Sequence, residues 1–185
     1  MIEIRVEGHA LTPHNEAGLA SGHADVPLSE AGIEHARTKR RHRFANESFD
    51  VIYTSDTQRA YETARLIFAD RDISIIQDAR LRECDYGDYE GLPRSEMEAA
   101  RPSSHSVPFP NGESYQMVAI RMRDFLDDLV TRGSPQRTLL VAHLATIWML
   151  EYWIEGRALD EVVGHVPTKP VFVLEPKDWA ELRNR

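Results

Sequence analysis

The chain has 185 residues, 42 % hydrophobic and 28 % charged, with a formal net charge of −8. This length and apolar fraction suit a single globular domain. The acidic balance argues against a general nucleic-acid binder or a membrane-surface binder, because neither phosphate backbones nor anionic lipids attract such a surface. A lone cysteine, Cys84, cannot close an internal disulfide, and the start MIEIRVEGH lacks the basic and apolar regions of a signal peptide. No apolar run approaches the ~20 residues that span a bilayer. The expectation is a cytoplasmic protein.

Ile2 to Val6 alternates apolar and charged residues and predicts a first strand. Residues 10–28, with Pro13, Gly18, Gly22 and Pro27, predict a long loop. Ser29 can N-cap a helix running to about Phe44, whose basic run EHARTKRRHRF reads as a solvated face. FDVIYT is a strand, TQRAYETARLIFA a helix and DISIIQ a further short strand. LRECDYGDYEGLPRSE and HSVPFPNGES look too broken for regular structure.

From Ser114 an amphipathic helix is predicted up to Arg132-Gly133, with Met117, Ile120, Met122, Phe125, Leu126 and Leu129 as its core stripe. RTLLVAH is a buried strand ending on His143; TIWMLEYWIEG is a helix, LDEVVGH follows, and PVFVLEP is the last strand. Neither repeats nor low-complexity tracts are visible. Alternating strands and helices predict an α/β, three-layer sandwich with a mainly parallel central sheet, a single domain over 1–185. Ligands in such sheets sit outside the carboxyl ends of the strands. His9 and His143 both stand at strand ends.

Five ordered segments carry more than either histidine alone. His9 with Asn15 is followed by GLASGHADVPLSEAG, IYTSDTQRAYETA, LRECDYGDYEG, FPNGES and LLVAHLAT. This order, spanning His9 to about Trp153, resembles the histidine phosphatase superfamily, the phosphoglycerate-mutase-like proteins. The resemblance implies that His9 takes the phosphoryl group from a phosphomonoester. It implies that Arg59 grips phosphate oxygens as a fork, that Glu83 protonates the leaving alkoxide and that His143 donates a hydrogen bond to the transferring group. Asn15, Ser21, Gly22, Arg82 and Leu144 would complete substrate binding, and residues 91–113 would cover the site. The substrate would be a small phosphorylated metabolite, with no metal and no other cofactor. A homodimer is left open.

These residue types suit the chemistry. Phosphoryl transfer asks the protein mainly for positioning and for charge stabilisation. A neutral imidazole is plentiful near neutral pH and can be a nucleophile. Two positions depart from the family pattern Arg-His-Gly and His-Gly: Gly8 stands where the first arginine is expected, and Leu144 follows His143. Arg82 is the expected substitute cation. If it fills that space, a new guanidinium from Gly8→Arg meets like charge and weakens phosphate binding, which is the expected outcome.

Hydrolysis is favoured over mutase chemistry because so short a chain has little material for a lid. The rivals are a phosphoglycerate-type mutase, a non-catalytic phosphate-ligand-binding protein on a degenerate site, and a metal site on His9, His14 and His23. The spacing of those three histidines favours no known ligand set.

Overall fold

The computed structural model describes residues 1–133 and 137–184. Strand β1 (Ile2–Gly8) buries Ile2, Ile4 and Val6 and leaves Glu3, Arg5 and Glu7 less covered, the alternation its sequence dictates. Thr12 then caps a short helix, α1 (Pro13–Ala17): its hydroxyl accepts from Asn15 N–H while the Asn15 carbonyl oxygen accepts from Thr12 N–H. The stretch expected to be entirely loop therefore contains one helical turn, nucleated by this reciprocal pair and by Pro13 at its first position.

Ser29 caps α2 (Glu30–His35), as its sequence predicts. The helix continues through a π-turn (Ala36–Arg40) into α3 (Arg41–Arg43). Its basic run is not simply solvated. Arg40 and Arg43 pair with Glu7, and the Arg40 and Arg43 contacts place two guanidinium groups along the charged face of β1. Strand β2 (Val51–Thr54) is buried throughout and leads into α4 (Gln58–Ile67), and β3 (Ile75–Gln77) is shorter than DISIIQ suggested.

The stretch after β3, expected to be irregular through Glu96, runs at its end into α5 (Arg94–Ala100). Met97 anchors it in the core while the neighbouring charges remain outside. Helix α6 (Tyr115–Thr131) starts at the Ser114 cap. Of its expected apolar stripe, Met122, Phe125, Leu126 and Leu129 are buried, but Met117 and Ile120 are 44 % and 46 % exposed. They lie on the flank of the helix that its neighbours do not cover. Then come β4 (Arg137–Ala142), α7 (Leu144–Glu155), α8 (Leu159–Val162), β5 (Val171–Leu174) and a terminal helix, α9 (Pro176–Leu182), that the sequence reading lacked.

The sheet order is β3-β2-β4-β1-β5, parallel except for β5, which runs antiparallel to β1 at one edge. Leu140 and Ala142 of β4 join the larger apolar cluster with α6 and α7; Leu139 and Val141 face the opposite cluster with Phe44 and α4. A strand buried on both faces reads as a continuous apolar run, which is why RTLLVAH was so legible. Among the described residues, no helix is long and apolar enough to cross a membrane.

Candidate active site

The register of the two central strands builds the site. Gly8 pairs with Ala142, so His9 and His143 leave the sheet side by side, and His9 N–H donates to the Ala142 carbonyl at 3.1 Å. Their ring centroids are 5.2 Å apart. His9 Nδ1 lies 2.7 Å from the Ala10 carbonyl oxygen. A carbonyl can only accept, so Nδ1 carries the proton and Nε2 of the neutral ring keeps its lone pair. Ala10 is itself fixed, its N–H donating to Thr63 Oγ1 at 2.8 Å. Burial, followed by the Arg59 charge, pushes His9 down from 6.5 to about 4.

His143 is buried, and desolvation followed by His9 and Arg59 holds its imidazole well below the ordinary value. Its Nε2 lies 2.7 Å from Ser55 Oγ, which is 2.9 Å from Thr57 Oγ1. Ser55 and Thr57 escaped the sequence reading. The signal was the TSDT turn leaving β2, the strand next to β4.

Both rings open on a cleft of about 330 Å³, which Gly8, Asn15, Ser21, Glu83 and Leu144 also line. Glu83 is held from two sides: Oε1 accepts from Cys84 N–H at 2.8 Å and Oε2 from Ala145 N–H, in the first turn of α7, at 3.4 Å. The capping role of Asn15 Oδ1 leaves its NH₂ group as the spare donor. Ser21 Oγ contacts His14 Nδ1 at 2.9 Å. Leu144 is half-exposed at the rim, so its side chain finds room there.

Three of the expected site residues do not line the cleft. Arg59 is fully buried behind the 21–24 loop and donates to the carbonyls of Ala24 (2.7 Å), Gly22 (2.7 Å) and Ser21 (3.0 Å). Its Nε has no partner among the described residues. Gly22 supports that loop: a Cβ there would stand 2.1 Å from the Cys84 carbonyl oxygen. Arg82 forks onto Asp56, with both contacts at 2.6 Å. The expected swing of Arg82 into the site is therefore not what this geometry has, because a bidentate carboxylate already holds the guanidinium.

Segment 91–113 contributes Arg94, Met97, Glu98 and Arg101 to the cleft through α5 and the turn after it. Arg40 grips the strand end from outside, donating to the Gly8 carbonyl and, at 3.2 Å, to that of His9. His9, His14 and His23 do not converge. Each ring is engaged elsewhere, His23 Nε2 near the Glu83 carbonyl at 3.1 Å, so the metal alternative finds no common site.

The family pattern described as Histidine phosphatase superfamily (branch 1) matches residues 8–178. The chain belongs to the histidine phosphatase superfamily. Similar proteins include the adenosylcobalamin/alpha-ribazole phosphatase of Escherichia coli, 32 % identical across 77 % of this chain and 73 % of that protein. Another is a 2,3-bisphosphoglycerate-dependent phosphoglycerate mutase of Parvibaculum lavamentivorans, 30 % identical across 92 % and 88 %. The structure of Bacillus stearothermophilus YhfR superposes with a TM-score of 0.79 at 26 % identity, covering 95 % of this chain and 92 % of that one.

If His9 is the group that attacks phosphorus, its depressed pKa has a direct consequence. The neutral ring would be the nucleophilic form, and lowering its pKa extends that form toward acid. We expect kcat/KM, corrected for ionisation of the substrate, to hold as pH falls through 6.5 and to drop only near about 4. A pH–rate profile with its acid limb at 6.5 would show that His9 titrates as an ordinary imidazole or does not attack.

Proposed function

We propose that this histidine phosphatase hydrolyses a phosphomonoester of a small metabolite through a phosphoryl group carried on His9 Nε2. The observation that carries the reading is the Ala10 carbonyl on Nδ1, which leaves a lone pair on the other nitrogen of a ring lining the cleft beside His143 and Glu83. Nε2 attacks phosphorus and the P–O bond to the alcohol breaks. The departing oxygen keeps the electron pair and takes a proton from the Glu83 carboxyl. Water then attacks phosphorus and gives its proton to the Glu83 carboxylate. The N–P bond breaks, its electrons return to Nε2, and inorganic phosphate leaves.

His143 serves the transferring group as a neutral donor. In this reading Ser55 O–H donates across the 2.7 Å contact to His143 Nε2, which places the His143 proton on Nδ1, the nitrogen left to donate. Asn15 adds its NH₂ group and the N-terminus of α7 adds its positive end beside Glu83. Arg59, buried behind the cleft, acts by charge and by holding the 21–24 loop. No step in this sequence requires a metal ion. The half-exposed rim at Leu144 leaves water a route to the phosphoryl-enzyme, which favours hydrolysis over return of the group to substrate.

The test is release of inorganic phosphate from p-nitrophenyl phosphate with and without a chelator. Hydrolysis that survives chelation supports the reading; binding of phosphate with no turnover overturns it. Glu83→Gln sharpens the assignment. It should cost about 10²-fold on alkyl phosphates, a usual figure for lost acid catalysis, and far less on p-nitrophenyl phosphate, whose phenol departs without help. Equal losses on both would remove Glu83 from the acid role.

A further inference from the structure

Glu83, the proposed acid, stands in chain without regular structure: residues 83–86 follow the short turn Ala79–Leu81 and belong to neither helix nor strand. No ladder of backbone bonds sets its position, so the accounting passes to side chains. Arg121, on α6, spends all five of its N–H donors on this stretch and on its own anchor. Nη1 donates to the carbonyls of Arg80 at 2.6 Å and Arg82 at 2.8 Å. Nη2 donates to the Glu83 carbonyl at 2.8 Å and to Glu113 Oε2 at 3.0 Å, and Nε donates to Glu113 Oε1 at 3.1 Å.

Glu113 completes the clasp. Its Oε2 also accepts from Asp85 N–H at 3.1 Å, and its own N–H donates to the Asp85 carbonyl at 2.9 Å. The chain is thus held on both sides of Glu83, at 80 and 82 by the guanidinium and at 85 by its carboxylate partner. His23 Nε2, 3.1 Å from the Glu83 carbonyl, adds a second side-chain contact there. The side chains of Arg121 and Glu113 are each only 17 % exposed, and neither lines the cleft. An ion pair withdrawn this far from water costs desolvation, and the phosphoryl chemistry gives it no direct part.

We propose that Arg121 and Glu113 are positioning residues for Glu83, their clasp on the 80–85 chain aiming its carboxyl at the leaving oxygen. This rests on the phosphomonoesterase reading, in which Glu83 supplies that proton. Proton transfer needs hydrogen-bond reach, so a carboxyl carried on irregular chain must be held to within about 0.5 Å. The Cys84 and Ala145 N–H groups orient the carboxylate itself. The Arg121 fork fixes the backbone from which it hangs. Lysine cannot replace it, because one compact ammonium cannot meet acceptors spread over three peptide groups and a carboxylate.

The test compares Arg121→Lys, Glu83→Gln and the double variant on two esters. Glycerol 2-phosphate needs its leaving oxygen protonated; p-nitrophenyl phosphate does not. Arg121→Lys should lower kcat/KM on the alkyl ester at least about tenfold, within the roughly 10²-fold that a 1 Å misplacement costs, and far less on the aryl ester. Inhibition by inorganic phosphate should hold, because Arg121 stands outside the cleft. The double variant should be no slower on the alkyl ester than Glu83→Gln, since the clasp acts through that carboxyl. A double variant slowed by the product of the single losses overturns the proposal, and so does an Arg121→Lys loss equal on both esters where the Glu83→Gln loss is confined to the alkyl one; either leaves the phosphatase reading standing. Should Arg121→Lys not fold, Glu113→Gln decides by the same comparison, with a smaller selective loss expected because the fork on the carbonyls remains. A Glu83→Gln loss equal on both esters refutes the acid role instead, and an unslowed double variant then keeps Arg121 as the residue that positions Glu83. A wild type that turns over neither ester overturns both.

Discussion

His9→Ala should abolish turnover while leaving the fold and phosphate binding in place. The side chain of His9 makes one hydrogen bond, to its neighbour's carbonyl, so truncation leaves only that acceptor to be rehydrated at a cleft that already meets solvent. The cost to stability should be within about 1 kcal/mol, the net worth of an ordinary hydrogen bond. The cost to rate is of another order. If His9 is the nucleophile, as proposed, the loss should be on the order of 10⁶-fold, the figure for removing the nucleophile of a triad-type enzyme.

His143 is the nearest alternative nucleophile, at 5.2 Å between ring centroids, but its Nε2 is occupied by Ser55 and the ring is buried. The measurement is single-turnover labelling with a ³²P phosphomonoester alongside steady-state rates. Label retained by wild type and lost in His9→Ala is expected. Label retained by the variant would move the nucleophile elsewhere.

The second large effect is a gain. Gly8→Arg should tighten phosphate binding and raise kcat/KM on the order of 10²-fold, the usual value of one charged transition-state donor. Gly8 lines the cleft, its backbone is outside the left-handed region, and a Cβ built on it meets nothing within 4 Å. The glycine is thus not demanded by space or by backbone conformation. An Arg82 already occupying the position, the expectation from the chain alone, would give the opposite result. Arg82 is forked onto Asp56 instead, and Arg40 spends its donors on the Gly8 and His9 carbonyls.

The arriving guanidinium does meet the positive field of Arg59, Arg40 and Arg94, which already act on His9. A phosphate dianion between them offsets that repulsion, so the gain should appear with substrate and as a lower inhibition constant for inorganic phosphate. Weaker phosphate inhibition in Gly8→Arg would mean that one of these cations already supplies the positive charge the new arginine brings.

The α/β alternation, the buried β4 and the ordered motifs were legible in the chain because each is a local matter. Period-two burial at Ile2, Ile4 and Val6 follows from strand geometry, and the Ser29 and Ser114 caps follow from side chains bonding three residues ahead. Four residues picked out from the ordered segments, His9, Glu83, Asn15 and His143, line one cleft.

What the chain could not declare was direction. His9 and His143 meet through the Gly8↔Ala142 register, a pairing across most of the sequence length. Arg59 and Arg82 were read as free cations because guanidinium groups suit phosphate; the 21–24 carbonyls and Asp56 claim them only once the fold brings those acceptors near. Met117 and Ile120 fit a helical stripe, yet their exposure depends on which flank of α6 its neighbours cover. Helical and strand periods are set within a few residues by backbone geometry. Whether a charge is spent inside the protein or remains available to a ligand is set by desolvation and by partners far away in sequence, and only tertiary packing decides both.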